Sequence, residues 1–311
     1  MEKFNEVCNN LIEQVKTVLM KVPNNVKASV YEIRIRANKP IQLICKDNIY
    51  FVKSNGYLTE SVNDSEFIIN IETISDMFNK ICNYSVYSYQ EELKNGYITI
   101  NGGHRIGICG TTIVKNDNIE SIRNISSLNI RISRNIKNVS KRIFDLLKDK
   151  VLSGMLIVGP PCSGKTTLLR DIAYNLSLGI YLKPKKVVII DERNEISGSY
   201  MGVSSYDLGL SDIINECPKK YGIISAIRSM SPDVIVCDEI GDQNDAIGLT
   251  YGMNAGVPII STMHANSFEE LKKRPQANEV LKTKAFNIIL ILDRNEKCKI
   301  DSIISLDGVA L

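Results

Sequence analysis

Met155-Leu156-Ile157-Val158-Gly159-Pro160-Pro161-Cys162-Ser163-Gly164-Lys165-Thr166-Thr167 is the stretch on which the fold turns. Its four leading apolar residues have the length and bounds of a buried parallel strand, and Leu168 to Leu176 behind it carries apolar residues at helical spacing. Gly159 to Thr166 between them matches G-x-x-x-x-G-K-[ST]. Strand, glycine loop and helix therefore stand in the order that a phosphate-binding loop requires. A loop without side-chain bulk at Gly159 and Gly164 can wrap its backbone N–H groups around phosphate oxygens, and the helix N-terminus adds positive potential. Lys165 is expected on the β- and γ-phosphates, the Thr166 hydroxyl on Mg²⁺, and Thr167 beside it, with ATP as the nucleotide.

Downstream, strand and helix signals alternate as in a mostly parallel α/β sheet. Strands are expected over 186–190, 233–237 and 257–263, with helices over 221–230 and 245–255. Three strands thereby deliver titratable groups at their C-terminal ends, the edge where open α/β sheets bind ligands. Val234 to Cys237 followed by Asp238-Glu239 has the form of a Walker B strand. Asp238 is expected to hold a water on Mg²⁺ and Glu239 to orient the water that attacks the γ-phosphate. Asp191-Glu192 forms a second acidic pair, read either as capping or surface solvation or as support for the metal or the water. His264, after the polar exit Ser261-Thr262, is a candidate sensor of the γ-phosphate, whereas His104 near a Gly-Gly turn reads as structural. Arg228, at the end of a helix leading into the Walker B strand, is either a favourable C-terminal charge or a site residue.

The first half carries no comparable motif. Residues 2–21 have the periodicity of one amphipathic helix, ended by Pro23-Asn24-Asn25. Residues 31–36 alternate as a strand, a hairpin is expected around Asp47-Asn48, a helix over 68–83, and strands over 97–100, 105–109 and 128–134. This predicts a small α+β domain over 1–122, a basic strand and helix as linker over 123–150, and an ATPase domain over 151–311. Residues 123–150 hold eight basic and two acidic side chains. They are a solvated face unless Arg123, Arg131 or Arg134 reaches phosphates, in its own subunit or across an interface.

Composition limits the function classes. The 311 residues carry a net charge of +3, 6% aromatics and no Trp, so neither an electrostatic nor a stacking case for stable nucleic-acid binding exists. Eight cysteines, no two within four positions, signal neither a zinc site nor a C-x-x-C pair and read as reduced cytosolic thiols. No secretory signal is evident, and no apolar run approaches the roughly 20 residues of a membrane span.

Ser261 to Ser267, containing His264, resembles the histidine box of the type II and type IV secretion ATPases. Asp191-Glu192 with Glu195 resembles their aspartate box, and Glu32 to Arg36 is similar to the opening of their N-terminal domain. Leu128 to Arg131, Ile227 to Asp233 and Asp238 to Gly241 are similar to the sporulation branch of that group in endospore formers. The resemblance implies a RecA-like P-loop domain and a homohexameric ATP hydrolase. It also implies a mother-cell location, peripheral at the membrane facing the forespore, and a polytopic inner-membrane partner of the channel joining the two compartments. Asp238 stands where the wider group carries Gly, and Gly241 where it carries Arg. Two alternatives share the same motifs: a nucleic-acid-stimulated RecA-like P-loop ATPase, and an inactive nucleotide-gated scaffold.

Overall fold

The computed structural model of the chain describes residues 1–46, 48–62, 66–94, 96–115, 118–241 and 243–306, apart from the side chains of Glu91, Asn118 and Gln243. The chain forms two compact units, Met1–Arg134 and Asn135–Leu311.

In the first unit, period-2 patterning gives an antiparallel sheet of seven strands. These are β1 (Glu32–Arg36), β3 (Gln42–Ile44), β4 (Ile49–Val52), β5 (Leu58–Thr59), β7 (Tyr97–Ile100), β8 (His104–Lys115) and β9 (Asn118–Arg131), in the order β5-β4-β3-β1-β9-β8-β7. A separate pair joins β2 (Lys39–Pro40) to β6 (Ile68–Ile69). Ile33 and Ile35 of β1 are fully buried while Arg34 and Arg36 stay half-buried, as alternation predicts. The β3–β4 hairpin closes through the Cys45 N–H on the Asn48 carbonyl (2.9 Å); Asp47 lies outside the described residues.

Among the described residues the unit also holds five α-helices, α1 (Glu2–Asn9), α2 (Glu13–Met20), α3 (Asn24–Ser29), α4 (Ile71–Ile81) and α5 (Gln90–Lys94). The single helix expected over 2–21 is two. Asn10 turns its side-chain amide onto the Glu6 carbonyl (2.9 Å), the local competition that makes Asn a poor helix former, and Ile12 is extended. Pro23 does not end a helix but starts one, its carbonyl accepting from the Val26 and Lys27 N–H groups at 3.0 Å each. Over 68–83, Ile68–Ile69 is strand, and Asn70 caps α4 by accepting the Thr73 N–H (2.9 Å).

The division between the two units falls between Arg134 and Asn135, inside the stretch 123–150 read as a linker. Leu128, Ile130 and Ile132 are buried in alternation, and β9, which starts at Asn118, pairs with both β1 and β8. Arg131 lies 3.7 Å from Glu32, Arg134 donates to the Val30 carbonyl (2.5 Å), and Arg123 is exposed.

His104 is fully buried in the first unit. Its Nδ1 accepts the Ser133 N–H (3.1 Å), so the ring proton sits on Nε2, 3.4 Å from the Glu6 carboxylate. Gly102, at φ +89°, makes room for this ring: a Cβ there would lie 2.6 Å from His104 Nε2. Burial, with the charge of Lys3 adding to it, lowers the His104 pKa from 6.5 to about 4. Between those two values the unfolded chain binds more protons than the folded one, so stability falls as pH drops from 6.5 towards 4. His104→Gln should remove up to about 3 kcal/mol of that acid loss. Urea unfolding of both proteins across the window measures it, and identical slopes would exclude His104 as the source.

The second unit carries a seven-stranded sheet built from β10 (Met155–Gly159), β11 (Val187–Asp191), β12 (Asp212–Asn215), β13 (Val234–Cys237), β14 (Ile259–His264), β15 (Ile288–Leu292) and β16 (Ile300–Ser305). The order is β12-β11-β13-β14-β10-β15-β16, all neighbours parallel except the antiparallel β15–β16 hairpin. Adjacent residues of the strands feed opposite faces. Met155 and Ile157 pack with Ile143 and Phe144 of α6 (Lys141–Leu147) and with Leu168, Leu169 and Ile172 of α7 (Lys165–Leu178). Leu156 and Val158 pack with Ile223 of α8 (Lys219–Met230), Leu249 of α9 (Gln243–Asn254), Leu271 of α10 (Phe268–Lys273) and Val280 of α11 (Pro275–Lys282). Each buried side chain of this size stabilises the sheet by roughly 1.5–3 kcal/mol. Such two-sided burial explains the continuous apolar runs of the parallel strands. The strand β15, five apolar residues in a row, was legible on the same ground as β10 and is missing from the sequence expectations.

Candidate functional site

The strands β10, β13 and β14 run parallel, so their C-terminal ends share one edge of the second unit's sheet. At that edge lies a cavity of about 430 Å³. Gly164, Lys165, Thr166 and Thr167 line it from the loop after β10 and the start of α7; Asp238 and Glu239 line it from the end of β13, and His264 from the end of β14. The residues expected as phosphate loop, metal ligands, water-orienting glutamate and sensor histidine are therefore brought together.

Tight backbone geometry shapes the loop. Gly164 has φ +96° at the N-terminus of α7, and a Cβ there would stand 2.4 Å from Cys298 Sγ. Cys162 also has a positive φ, +63°, and the Ser163 N–H bonds the Pro160 carbonyl (3.3 Å). Lys165 is buried, with its ammonium donating to the carbonyls of Gly159 and Pro160 and to His264 Nδ1, all at 2.9 Å. Burial pulls its pKa below 10.5, against the attraction of Glu239 and Asp238. Anionic oxygens in place of these neutral acceptors would suit the cation better.

With His264 Nδ1 accepting from Lys165, the ring carries its proton on Nε2, which lies 3.4 Å from Glu239 Oε2. Arg193 Nη1 lies 3.9 Å from the same carboxylate oxygen. Lys165, His264 and Glu239 thus form a continuous chain across the cavity. Asp238 is buried; its Oδ1 accepts from the Thr262 hydroxyl (3.3 Å) and its backbone carbonyl from Ser261 (2.9 Å). Its Oδ2 is buried with no hydrogen-bond partner. A buried carboxylate oxygen without a donor is suited to a hard cation or a water bound to one. Among the described residues no cluster of three or more His, Cys, Asp or Glu side chains could hold a metal alone. This pattern fits Mg²⁺, which is held by one or two protein oxygens together with substrate phosphates; Thr166 and Asp238 are the two candidates.

Three expected catalytic residues do not line the cavity. Asp191 is fully buried and saturated: its carboxylate accepts the N–H groups of Glu195 (2.8 Å), Ile196 (3.1 Å) and Ser197 (2.7 Å) and the Ser197 hydroxyl (2.6 Å). These bonds cap the loop after β11. Glu192 pairs with the buried Lys219 (2.6 Å), whose pKa is raised because this bond and Asp245 outweigh the opposing effect of burial. Arg228 bonds the Tyr251 hydroxyl (3.4 Å), its guanidinium 5.8 Å from the Tyr251 ring centroid. Asp191→Ala should lower stability by about 3 kcal/mol, because three loop N–H groups lose their acceptor inside the protein. Urea unfolding reads this directly. An unchanged midpoint combined with lost hydrolysis would restore Asp191 to a metal-supporting role.

Glu195, quoted only as part of the aspartate box, lines the cavity, as do Thr262 and Lys297. Thr262 had a signal, its place two residues before His264 on a buried strand. Lys297 and Arg193 had none, because each reaches the site through a loop whose path depends on the rest of the fold.

A family model described as "Sporulation stage III, protein AA" matches residues 1–311. The chain is 37% identical over 293 residues to the stage III sporulation protein AA of Bacillus subtilis (strain 168), covering 94% of this chain and 91% of that protein. It is 32% identical over 196 residues to the uncharacterized protein ycf45 of Porphyra purpurea, covering 58% of this chain and 31% of that one. Among solved structures, the pilus retraction motor PilT with bound ADP superposes with a TM-score of 0.52 at 18% identity, over 84% of this chain and 74% of that chain. The likeness is one of fold: a secretion-ATPase P-loop domain.

Proposed function

The chain belongs to the stage III sporulation protein AA family, and from that premise we propose that it is an Mg²⁺-dependent ATP hydrolase. In this reading it works as a homohexamer in the mother cell and drives the channel to the forespore by acting on a polytopic inner-membrane partner. Among the described residues no helix is long and apolar enough to cross a membrane, and the proposal assigns the membrane contact to that partner. The observation that carries the chemistry is the convergence of Lys165, Asp238, Glu239 and His264 on one cavity, with Asp238 Oδ2 buried and unpartnered.

Each residue has a task that its contacts support. Backbone N–H groups of the phosphate loop and Lys165 hold the β- and γ-phosphates, Lys165 exchanging its carbonyl and His264 acceptors for phosphate oxygens. Mg²⁺, when bound, supplies charge neutralisation; Thr166 and Asp238 would hold it. Glu239 orients the attacking water and takes its proton. His264, released by Lys165, keeps its Nε2–H towards Glu239 and frees Nδ1 to report whether a γ-phosphate is present.

The test is phosphate release by the purified chain with Mg²⁺, with EDTA in place of Mg²⁺, and with added single-stranded DNA. Mg²⁺-dependent release indifferent to DNA supports the reading. A salt-sensitive rise on adding single strands would replace it with the nucleic-acid-stimulated ATPase. ADP binding without turnover, in the chain alone and with its membrane partner, would leave a nucleotide-gated scaffold. Sedimentation with ATP and without it reads the hexamer.

A further inference from the structure

The site has a second flank that the motifs do not describe. Strand order sets β10 between β14 on one side and β15 on the other. Asp238, Glu239 and His264, the groups suited to the metal and the γ-phosphate, all stand on the β13–β14 side. From the opposite side comes the turn of the β15–β16 hairpin, residues 293–299.

That turn is a built structure. Asp293 Oδ1 accepts the N–H groups of Asn295 (2.7 Å) and Glu296 (2.9 Å), the Asp293 N–H bonds the Lys299 carbonyl (2.8 Å), and Glu296 pairs with Lys299 (2.5 Å). It is pinned to the phosphate loop by the Cys298 N–H on the Ser163 carbonyl (2.7 Å), with Cys298 Sγ 3.6 Å from the Gly164 carbonyl. Lys297, the residue before Cys298, lines the cavity beside Cys162 and Gly164. Among the described residues its ammonium has no hydrogen bond or ion pair, unlike Lys299 two positions on. A cation fixed by its neighbour's backbone at the rim of a phosphate loop, and unpaired among the described residues, has an anion as its fitting partner.

We propose that Lys297 is a nucleotide-binding residue that holds the α- and β-phosphates from the β15–β16 side, opposite the metal and γ-phosphate machinery. The assignment rests on the site being the nucleotide site proposed above and adds the group that reads the part of the ligand common to di- and triphosphate. The hairpin turn then acts as a clasp: the contact that shapes Gly164 also delivers the cation.

Equilibrium binding of Mg·ADP and of the non-hydrolysable analogue Mg·AMP-PNP to the full chain tests this, in the parent, Lys297→Ala and Lys297→Arg. Lys297 is exposed, so neither substitution threatens the fold. Lys297→Ala should weaken both ligands by the same factor, about five- to tenfold for a charge-assisted bond at a solvated rim, and Lys297→Arg should restore most of it. Unchanged affinity in Lys297→Ala overturns the assignment alone, while a loss confined to Mg·AMP-PNP moves Lys297 to the γ-phosphate and overturns it as stated. If the parent binds neither nucleotide, the nucleotide site itself falls and Lys297 with it.

Discussion

A Glu239→Gln chain should bind ATP as the parent does and hydrolyse it about 10²- to 10⁴-fold more slowly, the range that a positioned general base contributes. Gln has the size of Glu and can still meet His264 Nε2–H and Arg193 through its amide oxygen, so the 3.4 Å and 3.9 Å contacts that place the side chain survive. What it loses is the negative charge that polarises water and the capacity to take a proton. Glu239 is partly exposed, 36% by side chain, and the fold should not change by more than about 0.5 kcal/mol. Phosphate release and ATP retention on the same preparation give the two readouts. Turnover at the parent's rate would remove Glu239 from the chemistry.

Lys165→Ala should abolish nucleotide binding at working concentrations, an affinity loss of roughly 10²- to 10⁴-fold. Two charge-assisted bonds to phosphate oxygens at about 1.5–3 kcal/mol each account for it. The apo protein should not suffer. In the parent, burial holds the Lys165 pKa below 10.5, so between the lowered value and 10.5 the unfolded chain binds more protons and stability rises with pH. The variant lacks that rise, because the group that titrates is gone. Calorimetric binding of ADP reads the first effect, and urea unfolding on the alkaline side reads the second. Near-parent affinity for ADP would show that the loop backbone alone holds the ligand and that Lys165 acts only on the γ-phosphate.

The two substitutions separate what Glu239 and Lys165 do, and the contrast with Asp191 shows why neither role follows from residue type. Asp191 and Asp238 both end buried strands and both precede a Glu. The loop after β11 turns back and spends its N–H groups on Asp191, whereas Asp238 receives one hydroxyl from Thr262 on the neighbouring strand and keeps Oδ2 open. An acid that is saturated caps a loop; an acid with one open oxygen can take a metal's water.

The strand–loop–helix around Gly159 to Thr167 was legible in one continuous stretch because its strand, glycine turn and helix start each depend on neighbouring residues. Parallel strands were legible because burial on both faces forces unbroken apolar runs. Local pattern could not see the break at Asn10, where a side chain outcompetes the helix, or the run of β9 past residue 123, where sheet pairing overrides charge. Nor could it place Glu192 against Lys219, or Lys297 beside Gly164: these meet across long stretches of intervening chain, and such contacts leave no period in the sequence. Strand–loop–helix order and residue type were enough to propose a phosphate site, since both act over a few neighbouring residues. Which acid stays open, and which cation closes the far side, depends on how distant loops pack at one sheet edge, and that packing exists only once the whole unit has folded.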